Sequence, residues 1–313
     1  MIYDLRHRTS YAYEGAVSSA RCVLRLTPRS RETQCVLASA ITISPTPSRS
    51  VRRLGPFGEE TLTVLIEEPH RALVIEARSR VEVWSLAAPV RPVPSWEEIR
   101  AVSFQSATIG PDGPAAFLYP TPRTPVVAAI TDYARASLCS GRPVLDAAIA
   151  LMTRIWTDFT YDLKATTVST AAAEAFRARR GVCQDFAHIM ISGLRGLGLP
   201  ARYVSGYLRT VPPPGRPRLE GADATHAWVE LWCGEGVGWI GLDPTNAVLA
   251  REDHIILATG RDYSDVAPID GIILAPGDQT LKVEVDVVPV TAAGDATGPR
   301  TERGAVAFSG SAC

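Results

Sequence analysis

The sequence has no long apolar run, and this absence excludes one large class of protein. No stretch approaches the ~18 apolar residues that a membrane-spanning helix needs. The opening residues Met1–Arg8 are charged, and no apolar run of signal length follows them. From the sequence we expect a soluble, cytoplasmic protein with no membrane partner.

The sequence also lacks any CxxC pair. Its six cysteines are scattered at Cys22, Cys35, Cys139, Cys183, Cys233 and Cys313. This spacing argues against both a zinc ribbon and a disulfide framework. A metal site built from Cys183, His226 and Cys233 would match no zinc pattern either. We therefore expect no metal ion and no cofactor.

The chain also has no excess of positive or of negative side chains. The 32 basic and 33 acidic side chains give a formal net charge of −1, so no electrostatic footprint for nucleic acid is present. What the chain does have is apolar content, 46% of 313 residues, which is enough for more than one packed core.

Residues 1–86 have the pattern of an all-β domain. Apolar and aromatic side chains alternate with polar ones from Tyr3 to Tyr13, and residues 61–67 and 72–84 are rich in β-branched side chains. Turn residues separate these runs, which predicts a β-sandwich. A proline-rich stretch then begins a linker with short helices at 87–123, where Ser95–Glu98 has the pattern of a capping box.

Residues 124–290 are predicted to form a second, α+β domain. Apolar residues recur at helical spacing over 124–138, 143–159 and 181–200. Strand patterns follow at 202–208, 227–232 and 238–242, which is an α+β order. We assign a last strand, 281–290, to this core and expect the tail at 291–313 to be disordered.

Cys183 is the first candidate for chemistry. It lies in the first turn of its predicted helix, where free N–H groups and the helix dipole favour a thiolate. A small core side chain is the alternative interpretation of a cysteine on an apolar stripe. His188 lies five residues further on, about 140° around the helix axis, so we assign it to structure. Asp185 is interpreted as a complement to the helix dipole rather than as a catalytic group.

His226 and Asp243 form the second part of the candidate site. A regular hairpin that pairs these two residues turns between Gly234 and Glu235 and places both side chains on one face, with Cβ atoms roughly 5 Å apart. A carboxylate there would fix the imidazole tautomer and stabilise the imidazolium. A structural His–Asp pair is the alternative, and a bulge would shift the register by one and separate the two side chains.

Three sequence blocks resemble those of the bacterial transglutaminase-like superfamily. The blocks are Arg180–His188, Thr225–Glu230 and Gly238–Thr245. The likeness extends to the small β-domain of one bacterial subgroup and beyond the core, through Tyr3–Tyr13, Glu67–His70, Gly260–Val266 and Gln279–Pro289. The resemblance implies a papain-like α+β core, with Cys183 as nucleophile, His226 as general base and acid, and Asp243 as the orienting group.

Other residues are weaker candidates. Tyr161 resembles an aromatic that the family often places near the site, so its hydroxyl could join the Cys183 N–H in binding an oxyanion or substrate; a partly buried anchor is the alternative. Trp228, Trp232 and Trp239 are interpreted as core or pocket wall. The loop 211–224 is expected to border the substrate entrance. No EF-hand-like loop is visible, so calcium dependence is not implied.

These observations predict a cysteine-dependent acyl-transfer enzyme that acts on a peptide or another amide-containing substrate. Hydrolysis of the acyl-enzyme by water is favoured, as in an amidase or peptidase. Transamidation, in which an amine resolves the acyl-enzyme, is the first alternative. A non-catalytic binding module on the same scaffold is the second. An edge strand of the sandwich would also allow a homodimer.

Overall fold

The computed structural model describes residues 1–85, 92–108, 110–210 and 224–290. The predicted tail at 291–313 lies outside the described residues, as does nearly all of the predicted entrance loop at 211–224. Among the described residues, no helix combines the length and the apolar content that crossing a bilayer requires.

The first part of the chain is all β, as predicted. Its strands are β1 (Ile2–Val17), β2 (Ser19–Leu24), β3 (Gln34–Ser44), β4 (Arg49–Leu54), β5 (Glu60–Ile66) and β6 (His70–Val83). Burial alternates along β1 because every second side chain faces the core between the two sheets. Tyr3, Val64 and Ile75 are among the fully buried side chains of that core.

Helices dominate the middle of the chain. They are α1 (Trp96–Gln105), a 3₁₀ turn at Pro114–Phe117, α2 (Ala128–Arg135), α3 (Val144–Asp158), α4 (Ala172–Ala178) and α5 (Cys183–Gly196), with the two-residue strands β7 (Thr160–Tyr161) and β8 (Arg180–Gly181) between them. The predicted capping box is present, because the Glu98 N–H donates to the Ser95 side chain and the Ser95 N–H donates to the Glu98 carboxylate.

A five-stranded antiparallel sheet covers α5. Its strands are β9 (Ala201–Leu208), β10 (Ala224–Trp232), β11 (Trp239–Asp243), β12 (Val248–Leu249) and β13 (His254–Gly260), in the spatial order β12-β11-β10-β9-β13. Ala227, Val229 and Leu231 of β10 share a buried apolar core with α3 and α5, whereas Trp228 packs on the other face with Val204 and Ile256. The α+β layout is therefore confirmed.

The last strands correct the predicted assignment of the chain's end. After the short helix α6 (Tyr263–Val266) come β14 (Ile269–Leu274) and β15 (Gln279–Pro289). Both strands join the first β-domain, in sheets ordered β15-β1-β6-β3 and β14-β2-β5-β4, and not the core to which 281–290 was assigned. Val285 and Val287 of β15 supply apolar side chains that the sandwich core buries. The domain boundaries at residues 86 and 123 stay predictions.

Candidate active site

Cys183 is the first residue of α5, and the start of that helix is tightly built. The Asp185 carboxylate accepts hydrogen bonds from the Val182 N–H at 2.9 Å and from the Thr166 hydroxyl at 2.6 Å. A Cβ atom on Gly181 would lie 2.5 Å from that carboxylate, so only glycine fits there. Asp185 thus has the structural role predicted for it, and Cys183 remains partly exposed.

The hairpin that carries the other two candidates has a different register from the predicted one. Trp232 lies opposite Trp239 and Val229 opposite Leu242, which is a shift of two residues. The loop Cys233–Gly238 is longer than predicted because Gly234 and Gly238 adopt positive φ angles of 99° and 77°. A shift of two preserves the face of every side chain, so the predicted pairing was wrong but the shared face of His226 and Asp243 was right.

The structure brings the three predicted residues together. His226 Nε2 lies 2.8 Å from Asp243 Oδ2, and Cys183 lies close enough to the imidazole to contribute to its raised pKa. Nδ1 is the ring nitrogen that remains for the thiol. Burial alone would lower the pKa of His226, but the hydrogen bonds and charges of Asp243 and Cys183 raise that pKa to about 10.

Asp243 is fully buried and surrounded by donors. Its Oδ2 atom accepts hydrogen bonds from the His226 imidazole, from His254 Nε2 at 3.2 Å and from the Asn246 side-chain amide at 2.7 Å. Its Oδ1 atom accepts the backbone N–H groups of Thr245 at 2.9 Å and Asn246 at 3.3 Å. Burial opposes ionisation, yet these bonds hold the pKa of the Asp243 carboxyl well below its usual range.

His254 and Asn246 were not predicted from the sequence. His254 opens β13, a strand that reaches the site only through its pairing with β9, so no local spacing connects residues 254 and 243. Asn246 had a weak signal, because it follows Asp243 within the turn after Pro244, where a short amide side chain can reach back to a carboxylate.

His226, Asp243 and His254 also form a group with possible metal ligands. Two imidazole nitrogens and one carboxylate oxygen lie within 4.8 Å of one another. However, His254 Nδ1 accepts the Arg251 N–H at 3.3 Å, which places the ring proton of the neutral imidazole on Nε2. A protonated nitrogen is a donor and not a ligand, so the cluster fits a hydrogen-bond network better than a metal site.

Tyr161 lies beside the nucleophile. It belongs to β7, which pairs in parallel with β8 so that Tyr161 is opposite Gly181. Burial raises the pKa of Tyr161, and the proximity of Cys183 adds to the effect. The side chain is nevertheless 51% exposed, which leaves its hydroxyl available to a substrate.

The remaining candidates lie away from the reacting groups. His188 is buried and accepts the Tyr263 N–H at 3.3 Å, in a structural role. Trp228 is fully buried beneath His226, and Trp239 packs against Arg202 with the guanidinium 4.1 Å from its ring centre. Burial raises the pKa of Cys233 to about 12, which leaves that thiol protonated.

A cavity elsewhere in the structure does not coincide with these residues. It has a volume of about 870 Å³ and lies between the end of α1, the segment before the 3₁₀ turn and the loop of the β10–β11 hairpin. Neither Cys183, His226 nor Asp243 lines it. The chemistry of the side chains, and not cavity size, therefore locates the candidate site.

Two family models match this chain. Residues 3–82 match the bacterial transglutaminase-like N-terminal region, and residues 131–244 match the transglutaminase-like superfamily. The chain belongs to the transglutaminase-like superfamily. Members of this superfamily are generally enzymes, either cysteine proteases or transglutaminases.

Relatives over the full length include proteins of mycobacteria. An uncharacterized protein of Mycobacterium tuberculosis is 40% identical over 301 residues, which cover 92% of each chain. One from Mycobacterium leprae is 34% identical over 284 residues, 90% of this chain and 96% of the relative. A protein-glutamine gamma-glutamyltransferase of Pseudomonas aeruginosa is 38% identical over 93 residues, 29% of this chain and 14% of that one.

A solved structure has the same fold. It is described as a candidate cysteine protease from Cytophaga hutchinsonii and superposes with a TM-score of 0.73, covering 93% of this chain and 92% of that one. At 20% sequence identity, the likeness supports the fold alone.

Proposed function

We propose that this member of the superfamily is a thiol enzyme that cleaves amide bonds through a thioester acyl-enzyme. Cys183 is the nucleophile, His226 the general base and acid, and Asp243 the group that orients His226. The observation that carries this proposal is that buried His226 lies beside the partly exposed Cys183 and is hydrogen-bonded to the buried Asp243, with its pKa raised to about 10.

The raised pKa supports an imidazolium at neutral pH, the partner that a Cys183 thiolate needs. The thiolate sulfur forms a bond to the substrate carbonyl carbon, and the carbonyl π electrons move to oxygen. We assign the Cys183 N–H at the start of α5 and the Tyr161 hydroxyl as the donors to that oxyanion. His226 then gives its proton to the amide nitrogen, the carbonyl re-forms and the C–N bond breaks. The amine leaves, and the acyl group stays on Cys183 as a thioester.

Hydrolysis completes the cycle when His226 takes a proton from water and the resulting hydroxide displaces Cys183 from the acyl carbon. The partial exposure of Cys183 and of Tyr161 supports this outcome, because solvent reaches the side chains at the nucleophile. Transamidation is the second candidate, and the local similarity to a protein-glutamine gamma-glutamyltransferase favours it. In that reaction an amine takes the place of water.

The proposal is tested by labelling with limiting iodoacetamide from pH 5 to pH 9, followed by peptide mass mapping. Cys35 serves as the internal reference, because it is also a free, partly exposed thiol. At pH 6 we expect Cys183 to react at least about tenfold faster than Cys35, and His226→Ala to abolish the difference. Equal rates at the two thiols in the wild type would overturn the proposal.

The fate of the acyl group is tested with p-nitrophenyl acetate, which acylates reactive thiols without a specific substrate. Intact-mass measurements follow the loss of the acetyl group from Cys183 with and without added glycinamide. A hydrolase releases acetate at the same rate in both samples. Faster loss together with N-acetylglycinamide formation would instead identify transamidation.

A further inference from the structure

Asp243 of β11 has two histidine partners that come from two other strands of the same sheet. His226 lies on β10, and His254 lies at the start of the edge strand β13. Both Nε2 atoms reach the same oxygen, Oδ2, at 2.8 Å and 3.2 Å. Two donors on one carboxylate oxygen restrict its rotation more than one donor can.

His254 itself is fixed in orientation and tautomer by its two hydrogen bonds. Its Nδ1 atom accepts the Arg251 N–H at 3.3 Å, so Nε2 carries the proton that is donated to Asp243. The ring packs edge to face on Trp228 with centroids 5.2 Å apart, and the same indole stacks on His226 with centroids 6.1 Å apart. The side chain is buried, and no role in binding a substrate follows from its position.

The first β-domain holds the strand on either side of His254. Just before it, the Tyr3 hydroxyl donates to the Asp253 carboxylate at 2.9 Å. Just after it, the Gln34 side chain donates to the Ile256 carbonyl at 2.8 Å and accepts the Ile256 N–H at 2.9 Å. Gln34 lies where the β13–β9 register shifts, so its amide replaces a partner that the ladder does not supply.

The apolar side of β13 is anchored in the same domain. Ile255 and Leu257 are buried in the sandwich core, while His254 and Ile256 face the other way, toward Trp228 and the site. Because side chains alternate along β13, one face of this strand packs on the β-domain and the other face carries His254 toward Asp243. A displacement of the β-domain would move His254 directly.

We propose that His254 is a positioning residue that holds Asp243 toward His226, and that the first β-domain acts in catalysis by fixing His254. The inference rests on the proposed thiol chemistry and adds to it a fourth side chain and a function for the β-domain. His254 touches neither substrate nor the reacting sulfur; it acts through Asp243.

The two nitrogens of His254 allow a matched test. His254→Gln retains an N–H close to the position of Nε2, whereas His254→Asn retains only an acceptor close to that of Nδ1. We expect the Gln variant to keep the iodoacetamide rate of Cys183 at pH 6 within about threefold of wild type. In the Asn variant we expect this labelling rate to fall about tenfold or more, a loss typical when a residue that orients a functional side chain is removed.

The control is His188→Asn, which removes another buried histidine without touching Asp243 and should leave the rate unchanged. Thermal unfolding of each variant separates a loss of position from a loss of stability. Tyr3→Phe removes only the hydroxyl bound to Asp253. In this variant the labelling of Cys183 should also become slower, by about twofold to threefold.

The outcomes separate this inference from the proposed function. If wild-type Cys183 reacts fast and the Gln and Asn variants are alike, or follow their melting temperatures, His254 is only structural and the inference is overturned. An unchanged Tyr3→Phe rate would overturn the role of the β-domain. If wild-type Cys183 reacts no faster than Cys35, the proposed function itself falls and takes the inference with it.

Discussion

At the scale of single residues, the charge on Asp243 controls the state of His226. A buried imidazole without a charged partner prefers to be neutral, because burial penalises the imidazolium. The carboxylate reverses that preference and, together with Cys183, raises the pKa of His226 to about 10. The imidazolium should therefore persist through neutral pH and lose its proton only in alkaline solution.

Asp243→Asn tests this reversal with almost no change in shape. Without the negative charge, burial lowers the pKa of His226, which should fall by at least about 2 units from its wild-type value. Titration of the His226 ring signals by NMR measures the change, and His70, which lies in the first β-domain on β6, gives a reference signal in the same spectra. Identical His226 titrations in the two proteins would show that the carboxylate does not hold the imidazolium.

At the scale of elements, the first turn of α5 determines where the nucleophile lies. Gly181→Ala should force the Asp185 carboxylate away, because the new Cβ atom would lie 2.5 Å from it. The hydrogen bonds from Val182 and Thr166 would then break. We expect a loss of about 1–3 kcal/mol in the free energy of unfolding and slower labelling of Cys183.

Gly110→Ala is the matched control for this substitution, since nothing lies within 4 Å of a Cβ atom at that position. Urea unfolding and iodoacetamide labelling should both match the wild type in that variant. If Gly181→Ala behaves like Gly110→Ala, the helix start tolerates more change than these contacts indicate.

Elements also show what could be predicted from the sequence and what could not. The faces of His226 and Asp243 follow from the two-residue period of a strand, which a shift of two leaves intact. The hairpin register did not follow, because it depends on the positive φ angles of Gly234 and Gly238. His254 and the place of β15 depend on pairing between distant strands, which local patterns do not contain.

At the scale of the whole molecule, a buried ion cluster joins the β-domain to the core. The Glu230 carboxylate of β10 accepts Arg202 from β9 at 2.6 Å and Arg31 from the loop before β3 at 3.2 Å. Burial opposes ionisation of Glu230, but the two arginines keep its pKa lowered. The cluster thus depends on both cations being present.

Arg202→Leu should destabilise the protein strongly, because it leaves the Glu230 charge buried with one partner. We expect the free energy of unfolding to fall by about 3–5 kcal/mol, measured by urea denaturation. Arg80→Ala is the control: it breaks an exposed pair with Asp4 on the β-domain and should have little effect. Equal effects in both variants would mean that the buried cluster contributes no more than a surface pair.

The pairing of β15 with β1 has a consequence for how the chain is made. Tyr3 lies opposite Pro289, so β1 leaves the ribosome long before the partner strand with which it pairs. Until then β1 pairs only with β6 and presents a free edge, the kind of surface that invites wrong partners. A chain that ends before residue 279 lacks β15, and it should be prone to aggregate because this edge of β1 stays free.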